Sequence, residues 1–402
     1  MIKAMRDGVS IIIPTYNGGA IFSRCLEEIA RQKYNGEIQL IVVDSGSIDG
    51  TAELAEQAGA LLKRIEKKTF HHARTRNYAL SFARFNKVIY LVQDAVPCSD
   101  RWLSDLEESL SGNSVVAVYA KQIPHDDSDA YARFEVENHS SYLGQDACFQ
   151  YIESKEAFQD MPYDEAYRTV RMDNICAIYE KDALLDIPFP EVDFAEDMAW
   201  AFKNLQNGRR IMYQPEVTVK HSHNRSAEYR FNRAVVNSIA CARIMNRVKD
   251  DLSSLLIRDL ISLTNIIHGY SKQIISEILQ NRKSSSKQEN SSVQIIDVIV
   301  RKYSFTNRMK KIFLEHFPDN LQSRPSSLVM IERQCKEYIH YFFELIRKTY
   351  GVTAEEELIE VLKQVIANVL GRVYGEVYAA RMLKNNLTPE IEDFIEPFLK
   401  DV

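Results

Sequence analysis

Along the first 120 residues, short and nearly unbroken apolar runs alternate with stretches in which apolar positions recur every three or four residues. Val9–Pro14 (VSIIIP) reads as a buried strand and Ala20–Arg31 as a helix. Ile38–Val43 (IQLIVV) is a second strand, closed by the turn-rich DSGSIDG of Asp44–Gly50. Thr51–Ala58 is helical, Leu61–Ile65 a third strand and His72–Arg84 another helix; Val88–Val92 (VIYLV) and Val115–Tyr119 (VVAVY) complete a set of five strands. Apolar runs without polar alternation, separated by helices, predict parallel strands covered on both faces. The expected fold is a doubly wound α/β sheet, and such sheets take ligands beyond the C-terminal ends of their strands.

From about residue 124 to 168 the pattern breaks into irregular polar and aromatic text, expected to be a long excursion over one end of the sheet. Order returns with a strand at Asn174–Tyr179 and a helix at Ala195–Asn207, ended by Gly208; Arg210–Tyr213 and Val217–His221 read as two short strands. From Ala227 onward nearly everything has helical spacing. Leu252, Leu256, Leu260, Leu263 and Ile267 form one packing stripe, and Leu358, Leu362, Val365, Val369 and Val373 a second. A polar, low-complexity segment at about 281–292 reads as a flexible linker. The expected division is an α/β domain over 1–226 and a mainly α-helical region over 227–402, with no repeat of fixed period.

Composition narrows the function classes. With 45% hydrophobic and 26% charged residues the chain is globular in character, and a net charge of −6 without a basic stripe argues against nucleic acid as a partner. Six widely spaced cysteines, none in a Cys-x-x-Cys pair, fit neither a disulfide framework nor a thiolate zinc site and suit a reducing cytosol. Residues 1–10 leave no room for a signal peptide before the first strand, and no apolar run reaches the ~18–20 residues of a membrane span. The expectation is a cytoplasmic protein whose membrane contact, if any, is peripheral.

Several polar residues fall where a ligand would meet the strand ends. Pro14-Thr15-Tyr16-Asn17 leaves the first strand, where released backbone amides can grip a base or phosphate; Thr15 or Asn17 could equally cap the next helix. Asp44, followed by Ser45, can accept from a base N–H or ribose hydroxyls, and turn chemistry explains it as well. Arg74, Arg76 and Asn77, with His71 and His72, open a helix in a manner suited to a diphosphate, although a solvated basic face is the commoner fate of such clusters. Asp94, after Gln93, could hold a divalent ion or simply end a strand. Glu196-Asp197 starts a helix; adjacent positions point about 100° apart, so only one carboxylate can face the site, where it could be a general base while the other serves the helix dipole, although an acidic pair at a helix start is common for the dipole alone. His221 and His223 alternate along a strand end and can share a face as metal ligands, a pattern that is more often structural.

These segments recur together, in order, in one family. SIIIPTYNGG (10–19), IVVDSGSIDGT (41–51), FHHARTRNYAL (70–80), YLVQDAVPCSDRWLSDL (90–106), AEDMAWAFKNLQNGRRIMYQP (195–215) and VKHSHNRS (219–226) resemble inverting family 2 glycosyltransferases of GT-A fold, in particular the rhamnosyltransferase-like branch. The resemblance implies that Asp44 holds the nucleotide base beside Thr15–Asn17, that Arg76 and Asn77 contact the donor, that Asp94 is the last Asp of an Asp-x-Asp element and meets Mg²⁺ or Mn²⁺, and that Asp197 is the catalytic base. His221 or His223 falls where the family places a late metal-binding His. Position 92 departs from the pattern, being Val where the first Asp of Asp-x-Asp would stand, and no Gln-x-x-Arg-Trp follows the base, which disfavours processive, polymer-extruding synthases.

The implied reaction transfers a sugar from a nucleoside-diphosphate donor, dTDP-L-rhamnose or a UDP-hexose, to a hydroxyl of a bacterial surface glycan, free or lipid-linked. The helical region is then expected to dock at the inner face of the membrane, to self-associate or to shape an acceptor groove. The rival readings are a nucleotidyltransferase that makes a sugar nucleotide and a non-catalytic glycan-binding scaffold.

Overall fold

The computed structural model describes residues 7–111, 114–280 and 326–399. They fall into two compact units, one formed by residues up to Ser128 together with Ala132–His223, the other by Asp129–Tyr131 and the described residues from Asn224 onward. The linker expected at about 281–292 lies outside the described residues.

The first unit is built on one sheet. Its strands are β1 (Gly8–Thr15), β2 (Glu37–Asp44), β3 (Leu61–Arg64), β4 (Lys87–Leu91), β5 (Val96–Pro97), β6 (Ala117–Ile123), β7 (Cys148–Gln150), β8 (Cys176–Glu180) and β9 (Ile211–Lys220). The order across the sheet is β3-β2-β1-β4-β8-β6-β9-β5, with β7 also on β9. β1 pairs in parallel with β2 and β4, as β2 does with β3. Between β4 and β6 the sheet takes in β8, antiparallel to both. The five expected strands do run in one direction, but they do not form a continuous parallel set: a reversed strand separates the fourth from the fifth. Runs such as CAIYE are apolar enough to be buried on both faces, and burial alone does not encode direction.

The helices of this unit are α1 (Gly19–Ala30), α2 (Thr51–Gln57), α3 (His72–Leu80), α4 (Trp102–Ser111), α5 (Ala130–Leu143), α6 (Lys155–Asp160), α7 (Tyr163–Val170), α8 (Lys181–Asp186) and α9 (Glu196–Gln206), the first two residues of α5 belonging to the second unit. One face of the sheet packs Ile11, Ile13, Val42, Ile89 and Ile178 against Phe22, Leu26, Trp102 and Leu106 of α1 and α4, all buried. Two expectations need correction. The segment 124–168 is not irregular, since it contains α5, β7, α6 and the larger part of α7. The two short strands at Arg210–Tyr213 and Val217–His221 are one strand, β9, whose pairing with β6 shifts register after Ala120. The irregularity lets β9 continue past Pro215, which cannot donate a ladder bond.

The second unit is helical: α10 (Ala227–Met245), α11 (Ile257–Gln280), α12 (Ser326–Thr349), α13 (Glu355–Leu383) and α14 (Pro389–Ile395). The stripe Leu358, Leu362, Val365, Val369 and Val373 is buried throughout, as expected of a core face. In the other stripe Leu260, Leu263 and Ile267 are buried on α11, whereas Leu252 and Leu256 precede that helix and Leu256 is exposed. Gly371 and Gly375 let α13 lie close against α10: a Cβ on Gly371 would stand 2.4 Å from the Phe231 carbonyl oxygen. Among the described residues no helix is long and apolar enough to cross a membrane.

Candidate functional site

The polar residues gather at the rim where the parallel strands end. β1 delivers Thr15 there, β2 Asp44, β4 the turn through Asp94, and β9 His221 and His223. Because β8 runs backwards, the residues that precede it, Asp173 and Asn174, arrive at the same rim. The Asn174 N–H donates to Asp197 Oδ2 at 3.0 Å, which ties the start of α9 to this edge.

The loop after β1 is locked to the loop after β2. Asp44, buried, accepts from the Thr15 hydroxyl at 3.1 Å and the Ser47 hydroxyl on Oδ1, and from the N–H groups of Gly46 at 3.1 Å and Ser47 at 3.0 Å on Oδ2. A carboxylate has about four acceptor positions, so these four bonds fill it. The resemblance implied a base-binding role; in the structure this side chain organises the loop that would frame a base. Ser45 donates to the Thr15 carbonyl at 2.8 Å. Asn17 sits at φ 48°, a left-handed conformation that Asn tolerates, and its Oδ1 accepts from Ile48 N–H at 3.0 Å. Gln93 exchanges two hydrogen bonds with the Tyr16 main chain, 2.8 and 3.1 Å, and Lys67 lies 4.3 Å above the Tyr16 ring. Pro14 and Tyr16, the latter partly exposed, complete the rim of this loop.

The expected donor grip on α3 is placed differently. Arg76 is buried, and its Nη1 donates to Glu196 Oε1 at 2.6 Å. Asn77 Nδ2 donates to the Phe189 carbonyl at 2.9 Å, and its Oδ1 accepts from Phe189 N–H at 3.1 Å. Both side chains are thus committed to the segment that leads into α9 rather than open to a diphosphate. What read as a basic face is, at Arg76, an internal ion pair. Arg74 remains exposed, its Nε 3.6 Å from Glu191 Oε2.

Asp94, His221 and His223 do converge. Pairing of Val96 with Lys220 draws the turn after β4 onto the end of β9. Asp94 Oδ1 lies 3.8 Å from His221 Nε2 and Oδ2 lies 3.6 Å from His223 Nδ1. Ligand atoms of the three residues lie within 4.8 Å of one another. One carboxylate and two imidazoles form an oxygen–nitrogen donor set suited to a divalent cation. Burial pushes the His221 imidazole down to about 4, against the pull of the Asp94 charge, so it is neutral and able to ligate at neutral pH. Val92 takes no part: its N–H donates to the Ile175 carbonyl at 3.0 Å and its side chain packs on the core.

Ala195 has φ 60° and ψ 45°, which costs a non-glycine residue about 1–2 kcal/mol. The two carboxylates that follow it have opposite surroundings. Burial alone would raise Glu196, but the charges of Arg76 and His72 outweigh it and hold the carboxyl below its ordinary range. At Asp197 the charge of Arg171 lowers the carboxyl by less than its surroundings raise it. Burial first, then the charges of Glu196 and Asp173, raise it to about 6. Its oxygens accept from Asn174 N–H and, at 2.8 Å, from Met198 N–H. A carboxylate poised near neutrality is suited to accept a proton.

Sequence reasoning missed Asp173, Gln122 and His139. Asp173 Oδ2 accepts from Gln122 Nε2 at 3.0 Å and pairs with His139 Nε2 at 3.1 Å. The Gln122 Oε1 stands 2.8 Å from His221 Nδ1. The signal available was an Asp-Asn pair directly ahead of an apolar run, which on its own reads as a turn.

Residues 10–172 match the family model described as Glycosyl transferase family 2. O-antigen chain rhamnosyltransferase RfbN of Salmonella typhimurium is 32% identical over 230 residues, covering 56% of this chain and 69% of the relative. O-antigen chain rhamnosyltransferase WbaN of Salmonella anatum is 30% identical over 227 residues, with the same coverages of 56% and 69%. Among solved structures, the mannosyltransferase PcManGT of Pyrobaculum calidifontis, in complex with GDP-Man and Mn²⁺, aligns at TM-score 0.44 and 21% identity over 60% of this chain and 64% of that one.

Proposed function

Since the chain belongs to glycosyltransferase family 2 and is a glycosyltransferase, we propose that it moves a deoxyhexose or hexose from a nucleoside diphosphate to a hydroxyl of a bacterial surface glycan, with inversion at the anomeric carbon. That membership sets aside the nucleotidyltransferase and the non-catalytic scaffold. The donor we favour is dTDP-L-rhamnose, with UDP-hexoses second, because the two Salmonella relatives are O-antigen rhamnosyltransferases. The acceptor is a growing glycan, free or on a lipid carrier.

The observation that carries the mechanism is the contrast within Glu196-Asp197, one carboxylate neutralised by Arg76 and the other raised to about 6 at the strand-end rim. Asp197 takes the proton of the acceptor hydroxyl as that oxygen forms its bond to the anomeric carbon. The bond from that carbon to the diphosphate breaks on the opposite side, and the nucleoside diphosphate leaves with the electron pair. Asp94, His221 and His223 would hold Mg²⁺ or Mn²⁺, which when bound supplies positive charge to the departing diphosphate. Thr15, Tyr16, Asn17, Ser45 and Gln93 frame the nucleotide, Asp44 holds that frame, and Arg74 is the cation of α3 exposed toward solvent.

The test is a panel of nucleotide sugars with purified protein and Mn²⁺, read as nucleoside diphosphate released and as the anomeric configuration of the product. Asp197→Asn should lower the rate by about 10²–10⁴, and EDTA should remove activity that Mn²⁺ restores. Wild-type turnover by the Asp197→Asn variant, or full activity in EDTA, defeats the respective assignment.

A further inference from the structure

We propose that Gln122, backed by Asp173 and His139, is a positioning residue that fixes which nitrogen of His221 carries the proton and so turns the other toward Asp94. The inference rests on the reading of Asp94, His221 and His223 as a cation site.

The argument follows the direction of each hydrogen bond. An ionised carboxylate only accepts, so at the 3.0 Å contact with Asp173 Oδ2 the Gln122 amide must present its NH₂ end. Burial alone would raise the Asp173 carboxyl, but its hydrogen bond to His139 and the neighbouring positive charges hold it below the ordinary range, so it is the ionised form that the amide meets. With the NH₂ so placed, the amide oxygen is the atom 2.8 Å from His221 Nδ1. That oxygen cannot donate, so Nδ1 carries the hydrogen. In a neutral imidazole the other nitrogen then holds a lone pair. Here it is Nε2, facing Asp94 Oδ1 at 3.8 Å. Two acceptors directed at each other across that gap repel in the absence of a cation and cooperate in its presence. A free histidine in water favours the opposite tautomer, with the proton on Nε2, so the ligating form has to be imposed.

Helix α5 secures both ends of this arrangement from adjacent residues. Ser140 Oγ donates to the Gln122 carbonyl at 2.9 Å and holds its main chain. His139 Nε2, at 3.1 Å from Asp173 Oδ2, holds the carboxylate that orients its side chain. Asp173 is 8% exposed, and its Oδ1 is buried without a hydrogen-bond partner, so its placement depends on the bonds to Oδ2. The chain His139–Asp173–Gln122–His221 thus runs through side chains from α5, the segment ahead of β8, β6 and the segment that follows β9. Partners of this kind behind a metal ligand typically change metal affinity about 10- to 100-fold when removed.

The experiment uses the full chain, free of metal, labelled with ¹⁵N at histidine. Long-range ¹H–¹⁵N correlation reads the His221 tautomer directly, and Mn²⁺ titration followed by electron paramagnetic resonance reads the cation Kd. The wild type should show the proton on Nδ1. Gln122→Met, nearly isosteric but unable to accept, should move the proton toward Nε2 and raise the Mn²⁺ Kd about 10- to 100-fold. Asp173→Asn, which lets the Gln122 amide turn over, should do the same and decides the matter if the Gln122→Met variant does not fold. His139→Gln, whose amide can still donate to Asp173, should keep the wild-type tautomer. A proton on Nε2 in the wild type, or a tautomer unchanged in both Gln122→Met and Asp173→Asn, overturns the proposal. Failure of the wild type to bind Mn²⁺ overturns the cation reading instead, and the metal-free tautomer still tests the relay.

Discussion

Transfer should slow about tenfold between pH 7 and pH 5, because the base must be ionised to receive a proton and Asp197 is raised to about 6. The arithmetic discriminates sharply. A carboxyl of pKa about 6 is roughly 90% ionised at pH 7 and roughly 10% at pH 5, whereas one at the ordinary ~3.9 would still be more than ~90% ionised at pH 5. The assay is kcat/KM for nucleoside diphosphate release in overlapping buffers at saturating Mn²⁺. Burial keeps His221 titrating near 4, below this window, so its protonation does not imitate the effect. The cause can be tested within the same experiment. The Asp173 charge contributes to the elevation, so Asp173→Asn should shift the acid limb to lower pH, while Asp197→Asn should abolish the limb along with most of the rate. A profile flat to pH 5, or a limb that persists in the Asp197→Asn variant, refutes the reasoning.

Three further outcomes concern the fold. Glu196→Gln should lower stability by about 3–5 kcal/mol in urea denaturation, since it leaves the buried Arg76 guanidinium without its counterion. Gly371→Ala should destabilise by about 1–3 kcal/mol in spite of alanine's better helix propensity, because the new methyl meets the α10 backbone at 2.4 Å; a raised Tm would show that α13 can shift away. Ionising Asp197 itself opposes folding: a carboxyl whose folded pKa is raised favours the folded state below its unfolded value near ~4 and loses that contribution as pH rises through about 6. Asp197→Asn removes the effect, so its stability relative to the wild type should improve across that window.

The alternation of apolar runs and helical spacing made most strands of the sheet legible, since strands buried on both faces leave an unbroken apolar signature. Their order was not. Cys176–Glu180 is as apolar as its neighbours, and only the register with Tyr90 and Val118 reveals that it runs the other way. The site divided along the same line. The convergence of Asp94, His221 and His223 was legible because short-range pattern places each at a strand end. Arg76 read as a donor contact, or else as part of a solvated face, because the sequence shows its charge but not the carboxylate 120 positions away that accepts it. Asp173 and Gln122 went unnoticed because their importance lies in the direction of hydrogen bonds between distant segments, which no local spacing records. The α5–α7 stretch looked irregular because its aromatic and polar residues are interleaved and leave no single apolar stripe.

The reversed strand also decides what in this molecule can be exchanged. The chain runs out along β6 and comes back at Cys176 on the adjacent antiparallel β8, returning to the sheet in between through the short β7 on β9, so both ends of the intervening stretch are fastened to neighbouring strands. The closure entropy of such a stretch grows only slowly with its length, and its size is not dictated by the height of a crossover. The parts of this stretch that carry neither β7 nor the site residues His139, Asp173 and Asn174 can therefore change in length without reordering the strands beneath.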